Sequence, residues 1–166
     1  GQMTVLNEHI LHHKKLAALY EELFANISGI TFHRNPSEEI DSNYWLNTIT
    51  LTPDLHVKGE EKAYAEKVQG AVGGAAGVTH SSLSTHTDCE PNNNVEAMRM
   101  ALDANGIESR PLWKPMHLQP VYKGCPSYVN GISESLFKVG LCLPSGPYVS
   151  EEDVVRIVTV IKQHIK

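Results

Sequence analysis

The chain has 166 residues, 41% hydrophobic and 20% charged, a composition that fits one compact domain able to bury a core without disulfide staples. Fourteen Lys and Arg against nineteen Asp and Glu leave a net charge of −5, which argues against a broad electrostatic grip on nucleic acid or on an anionic membrane. Cys89, Cys125 and Cys142 are odd in number and lack CxxC spacing, so neither a disulfide framework nor a zinc knuckle is expected. With no apolar run of membrane-spanning length and no signal-like N-terminus, the natural location is the cytoplasm.

From Leu6, apolar residues recur at Ile10, Ala17, Tyr20, Phe24 and Ile27, with His13 in the remaining slot. Steps of three and four predict an amphipathic helix. Gly29 stands where a left-handed residue would end that helix, and Ile30 to His33 reads as a short β segment. Asn35-Pro36-Ser37 is a turn. Tyr44 to Leu51, rich in aromatic and β-branched residues and closed by Thr52-Pro53, predicts a central strand.

Residues from about Asp54 to Pro91 change in character. Glu60 to Val68 has helical potential, but Gly70 to Gly77 is small and glycine-rich, which predicts a flexible insertion. Asn92-Asn93-Asn94 offers N-caps for a helix from Val95 to Ala104, stopped by Asn105-Gly106, and Ile107 to Arg110 is a β segment. Ile132 to Val139 is a short helix, and Leu141 to Pro144 is extended. Ser150-Glu151-Glu152-Asp153 reads as a capping box for a last helix that buries Val154, Ile157, Val158 and Ile161, with Ile165 a turn further. The fold class is α+β: a small mixed or antiparallel sheet packed with helices, in one domain over 1–166 with an insertion at about 54–91.

Arg110, Trp113, Lys114 and His117 gather donors around an aromatic plane between Pro111, Pro115 and Pro120. Two readings stand: a ligand-contacting cluster, or a rigid proline turn whose aromatic packs into the core. Ser145-Gly146 reads as a turn, and Cys125 and Cys142, with no basic neighbours, as inert packing thiols. His9 and His13 share a helix face as metal-ligand pairs do, but no Cys or carboxylate completes a set at helical spacing. His80 and His86 lie in the glycine-rich region and assemble no triad.

Ile107-Glu-Ser-Arg-Pro-Leu-Trp-Lys-Pro-Met-His-Leu-Gln-Pro120, then Gly140-Leu-Cys-Leu-Pro-Ser-Gly146, then Glu151-Glu-Asp153 together resemble the closing section of the DegT/DnrJ/StrS sugar aminotransferases. The Trp-Lys-Pro-Met-His form is most similar to members that aminate a 4-keto sugar on UDP. The first helix and Tyr44-Trp-Leu46 are similar to the start of the family's C-terminal domain. This resemblance implies the C-terminal small domain of a fold-type I aminotransferase, with pyridoxal phosphate as cofactor of the full-length enzyme. It further implies a UDP-linked keto or amino sugar and an amino-group donor as reactants, and a homodimer. Within it, Arg110 and Lys114 would meet diphosphate oxygens, His117 a sugar hydroxyl, and Trp113 would form an apolar wall.

Pyridoxal phosphate chemistry requires a Schiff-base lysine, an acid facing the pyridinium nitrogen and a phosphate cradle. None of the ten lysines stands in a context resembling the family's cofactor-lysine loop, and Lys114 matches a different part of its pattern. The chain is therefore expected to be a domain fragment, inactive alone and without bound cofactor, and Gly1 in place of Met reads as a chain cut from something longer. The alternative is a stand-alone module that binds sugar nucleotides or pairs with an aminotransferase. A metal-dependent enzyme using the histidines rests on spacing alone.

Overall fold

The computed structural model describes residues 1–64 and 89–166. Helix α1 (Leu6–Phe24) follows a 3-10 turn at Gln2–Thr4 and buries Leu16, Ala17, Tyr20 and Phe24. Of the predicted apolar stripe, Ala17, Tyr20 and Phe24 are buried and Ile27 is partly buried, whereas Leu6 is 41% exposed and neither it nor Ile10 belongs to the core cluster; Leu16, outside that stripe, is buried as well. Gly29, at φ +80°, turns the chain into strand β1 (Ile30–Phe32). A β-carbon at Gly29 would lie 2.9 Å from Leu55 Cδ1, so both its backbone conformation and its neighbours require glycine.

Strand β2 (Asn47–Leu51) is shorter than the sequence predicts, because Tyr44 is left-handed at φ +48° and cannot join a ladder. Two side-chain turns hold this entry: Tyr44 N–H donates to Ser42 Oγ and Trp45 N–H to Asn43 Oδ1, each at 3.0 Å.

Helix α2 (Asn93–Ala104) ends at Asn105-Gly106, where Gly106 N–H reaches the Asp103 carbonyl (2.8 Å) and Ile107 N–H the Leu102 carbonyl (2.9 Å). That closure takes the backbone that was expected to extend the next strand. Strand β3 is therefore only Arg110–Pro111, and its proline, which has no N–H to give a ladder, suits the sheet edge. Helix α3 (Ile132–Val139), strand β4 (Gly140–Leu143) and helix α4 (Glu151–His164) complete the chain.

The four strands form one antiparallel sheet in the order β1-β2-β4-β3, so β2 is interior as expected. Register pairs Ile49 with Leu141 and Asn47 with Leu143, and strand alternation turns Ile30, Phe32, Ile49, Leu51, Leu141 and Leu143 into one core. Helix α4 packs against α1 and α2 and brings Val154, Ile157, Val158 and Ile161 into that core. The fold class is α+β, as the sequence predicts.

Residues 54–64, the start of the predicted insertion, join the core: Leu55, Val57 and Ala63 are buried. Val57 forms a β-bridge with Ile165, and Lys58 N–H donates to the His164 carbonyl at 2.9 Å. Only a 3-10 turn forms at Glu60–Lys62, and the rest of the predicted helix to Val68, the Gly70–Gly77 run, His80 and His86 lie outside the described residues. No helix among the described residues is long and apolar enough to cross a membrane.

The predicted capping box forms at α4: Ser150 Oγ accepts from Asp153 N–H (3.1 Å) and Ser150 N–H donates to Asp153 Oδ2 (2.9 Å). The Ser150 backbone N–H, then its hydroxyl, hold the Asp153 carboxyl below its ordinary range. A depressed folded value means that this contribution is complete above the ordinary aspartate pKa and is lost as pH falls through the folded one. Ser150→Ala is expected to cost about 1 kcal/mol at neutral pH, measured by urea unfolding. The difference from the wild type should narrow as the medium is acidified.

Candidate functional site

The loop from Leu112 to Pro120 leaves the edge strand β3 and crosses toward α3. Pro115 is buried and opens a 3-10 turn at Met116–Leu118. Backbone bonds from Leu118 to Pro115 and from Gln119 to Met116, both 3.0 Å, close that turn, and Gln119 Nε2 donates to the Lys114 carbonyl at 3.1 Å. The prolines thus hold a stiff loop.

Its two basic members meet α3. His117 Nε2 lies 2.6 Å from Glu134 Oε1, with the two side chains 19% and 23% exposed. Lys114 Nζ is 3.2 Å from Glu90 Oε1 and 6.0 Å from the centre of the buried Phe137 ring. Glu134 and Phe137 are three apart on α3 and so share a face. That face gathers Lys114 and His117 into one half-buried patch. Cys89 Sγ lies 4.0 Å from the Glu134 carbonyl oxygen, and burial pushes its thiol up, away from thiolate chemistry.

The other two predicted residues have different partners. Arg110 is spent on Glu108, with Nη2 at 2.7 Å from Oε1 and both side chains more than two-thirds exposed, a pairing worth little in water. Trp113 is 64% exposed and does not enter the core; its ring lies 6.1 Å from that of Trp45, tilted by 40°. The proline-turn reading in which the aromatic fills the core therefore fails for Trp113. Glu134, Glu90 and Trp45 were not singled out in the sequence as site residues. Glu134 has one local signal, its place three residues before Phe137 on the predicted α3.

Elsewhere the polar residues are structural. Ser145 Oγ accepts from Asn47 N–H at 2.7 Å and donates to the Leu143 carbonyl at 3.0 Å, which is the predicted turn. Cys142 is buried and its thiol is pushed up by burial, as packing predicts, whereas Cys125 is exposed and packs nothing. His13 is half-buried with its titration lowered by burial first and by His12 and His9 after it, and His9 is exposed. Among the described residues no three His, Cys, Asp or Glu side chains converge on a metal-sized site. A surface cleft of about 640 Å³, lined by Asn26, Thr52, Asp54, His56 and Lys162 among others, contains none of the motif residues.

The resemblance raised pyridoxal phosphate, and Lys114 is the lysine in the best-matched motif. Its Nζ is engaged by Glu90 and lies over the Phe137 ring, so the amine is not free to form an imine. These side chains do not fit that group.

The whole chain is similar to an aminotransferase of Bacillus subtilis (strain 168), EpsN, provisionally named as pyridoxal phosphate-dependent: 26% identity over 165 residues, 97% of this chain and 32% of EpsN. A shorter stretch of 62 residues is 39% identical to GDP-perosamine synthase of Caulobacter vibrioides, covering 37% of this chain and 17% of the synthase. In three dimensions the chain resembles the aminotransferase TlmJ of Streptoalloteichus hindustanus, with a TM-score of 0.64 at 17% identity over 98% of this chain and 33% of TlmJ. The chain thus spans about a third of EpsN and of TlmJ. The model of the DegT/DnrJ/EryC1/StrS aminotransferase family matches residues 62–162, well over half of the chain, and the chain belongs to that family.

Proposed function

We propose that residues 1–166 form the C-terminal small domain of a cytoplasmic, homodimeric aminotransferase that moves an amino group onto a keto sugar carried on a nucleotide, in amino-sugar or polysaccharide synthesis. The domain contributes the substrate-side wall, and the cofactor lysine lies in another part of the enzyme, so the chain alone does not catalyse. The observation that carries this reading is the His117 imidazole, held half-buried by Glu134 in the stiff loop that bears the family-like motif. Lys114 beside it supplies a cation for diphosphate oxygens, Trp113 an exposed apolar ring, and Arg110 a second cation at the strand edge. The GDP-linked sugar in the name of one relative supports a nucleotide sugar as the substrate class. UDP is the carrier that the Trp-Lys-Pro-Met-His form favours.

Calorimetric titration of the chain with UDP-linked keto or amino sugars tests the wall. A saturable signal is expected, weakened roughly five- to tenfold by His117→Ala, the worth of one hydrogen bond of about 1–1.4 kcal/mol. Silence across such sugars would sink the substrate-wall assignment. Treating the chain with pyridoxal phosphate and borohydride is expected to label no single lysine stoichiometrically, and a stoichiometric adduct at Lys114 would overturn the placement of the cofactor lysine elsewhere.

A further inference from the structure

We propose that Glu134 is a positioning residue that fixes His117 as its Nε2–H tautomer, leaving Nδ1 as the hydrogen-bond acceptor offered to a hydroxyl of the bound sugar nucleotide. This rests on the reading of His117 as a substrate contact and adds which ring nitrogen makes that contact, and in which sense.

The geometry leaves little freedom. Glu134 Oε1 stands 2.6 Å from His117 Nε2, and an ionised carboxylate can only accept, so the proton of a neutral imidazole resides on Nε2. Nδ1 has no hydrogen-bond partner among the described residues and is not among the buried unsatisfied atoms, so it carries an accessible lone pair. The carboxylate is kept ionised by its place in the first turn of α3, where the helix dipole favours negative charge, and its titration is lowered by its own backbone N–H first and by His117 next.

Both partners are fixed from behind. Phe137, one turn along α3, is buried, and Cys89 packs at the Glu134 carbonyl. His117 sits in a closed 3-10 turn behind the buried Pro115. Each side chain is less than a quarter exposed, so water competes weakly for the bond. The second carboxylate oxygen, Oε2, is buried and makes no close hydrogen bond among the described residues, while the Glu134 backbone N–H and the Ser133 side chain act on the carboxylate beside His117. A histidine needing only packing would be served by an apolar neighbour. A histidine that must present one defined nitrogen needs a carboxylate on the other.

The test is long-range proton–nitrogen correlation on the ¹⁵N-labelled chain at a pH where the imidazole is neutral, with the His117 signals assigned by their loss in His117→Asn. The wild type is expected to show a protonated Nε2 and a bare Nδ1, and Glu134→Gln a mixture of both tautomers with its backbone fingerprint retained. On adding a UDP-linked sugar, the Nδ1 resonance should move toward the protonated range while Nε2 stays, and Glu134→Gln should weaken binding about fivefold. A protonated Nδ1 in the wild type, or an unchanged tautomer in Glu134→Gln, overturns the proposal. So does an Nδ1 that ignores a sugar nucleotide the chain demonstrably binds, and that result leaves the substrate reading of His117 standing. Absence of any sugar-nucleotide binding sinks the substrate reading instead, while the tautomer measurement still decides the role of Glu134.

Discussion

Alanine at position 140 is expected to destabilise the chain by about 2–3 kcal/mol and to disturb the His117 loop at the same time. Gly140 opens β4 directly after α3, and a β-carbon there would lie 2.2 Å from Leu112 Cδ1, 2.4 Å from Leu112 Cγ and 2.8 Å from the Leu136 carbonyl oxygen. Such separations are far inside van der Waals contact, so something must move. Leu112 can rotate at a cost, but the Leu136 carbonyl is part of α3 and cannot yield without shifting the helix that carries Glu134. Leu112 also donates its N–H to the Gly140 carbonyl at 3.3 Å, so the two segments are fastened where the methyl would intrude. Urea unfolding of Gly140→Ala measures the loss. The double variant with Leu112→Ala should show a coupling that relieves part of it. A single variant within about 0.5 kcal/mol of the wild type would refute the close approach.

Tyr20→Ala should cost more, about 3–5 kcal/mol, because it empties the middle of the core. Tyr20 is fully buried, stacks on Phe24 and Phe32 with ring centres 6.1 and 6.4 Å away, and donates its hydroxyl to the Pro144 carbonyl at 3.1 Å. That bond ties α1 to the turn between β4 and α4. Tyr20→Phe keeps the rings and removes only the bond, so about 1 kcal/mol is expected. Equal losses in the two variants would mean that the hydroxyl rather than the ring carries the stability. Burial, and behind it Asp153, push the phenol well above its ordinary range. Because the folded value is raised, the stability of this neutral phenol is complete below the ordinary tyrosine pKa and is lost as pH rises beyond it. Tyr20→Phe should abolish that part of the alkaline decline.

Of the two, only the Gly140 variant bears on the site as well as on stability. Gly140 lies where the motif loop meets α3, so a shift there is expected to change the His117–Glu134 distance. Tyr20 acts through the core, on Phe24, Phe32 and the Pro144 carbonyl. The first variant should therefore change the His117 nitrogen signals before the chain unfolds, and Tyr20→Phe should leave them unchanged.

The sequence by itself determined the features that neighbours within a turn control. The α4 capping box and its Val154, Ile157, Val158 and Ile161 stripe are local, because the hydrogen bonds and the side-chain period involve residues three or four apart. The α3 boundaries and the stop at Asn105-Gly106 are legible for the same reason, and the motif string points to the family without any geometry. Only the tertiary structure decided how far the local signals extend. The α1 stripe is apolar from Leu6, yet its buried residues begin at Ala17, because burial depends on what lies opposite. The strand expected over Ile107–Arg110 shrinks to Arg110–Pro111, since the closure of α2 captures Ile107 first.

The site was legible as a list of residues and not as an arrangement. His117 finds Glu134 across 17 residues and Lys114 finds Glu90 across 24, while Trp113 meets Trp45 from a distant strand entrance. No periodicity encodes such pairs. They form only when the sheet and core have closed the intervening chain and brought the separated charges and rings to one face. The tertiary fold therefore gathered Lys114 and His117 on α3 and left Arg110 and Trp113 with other partners.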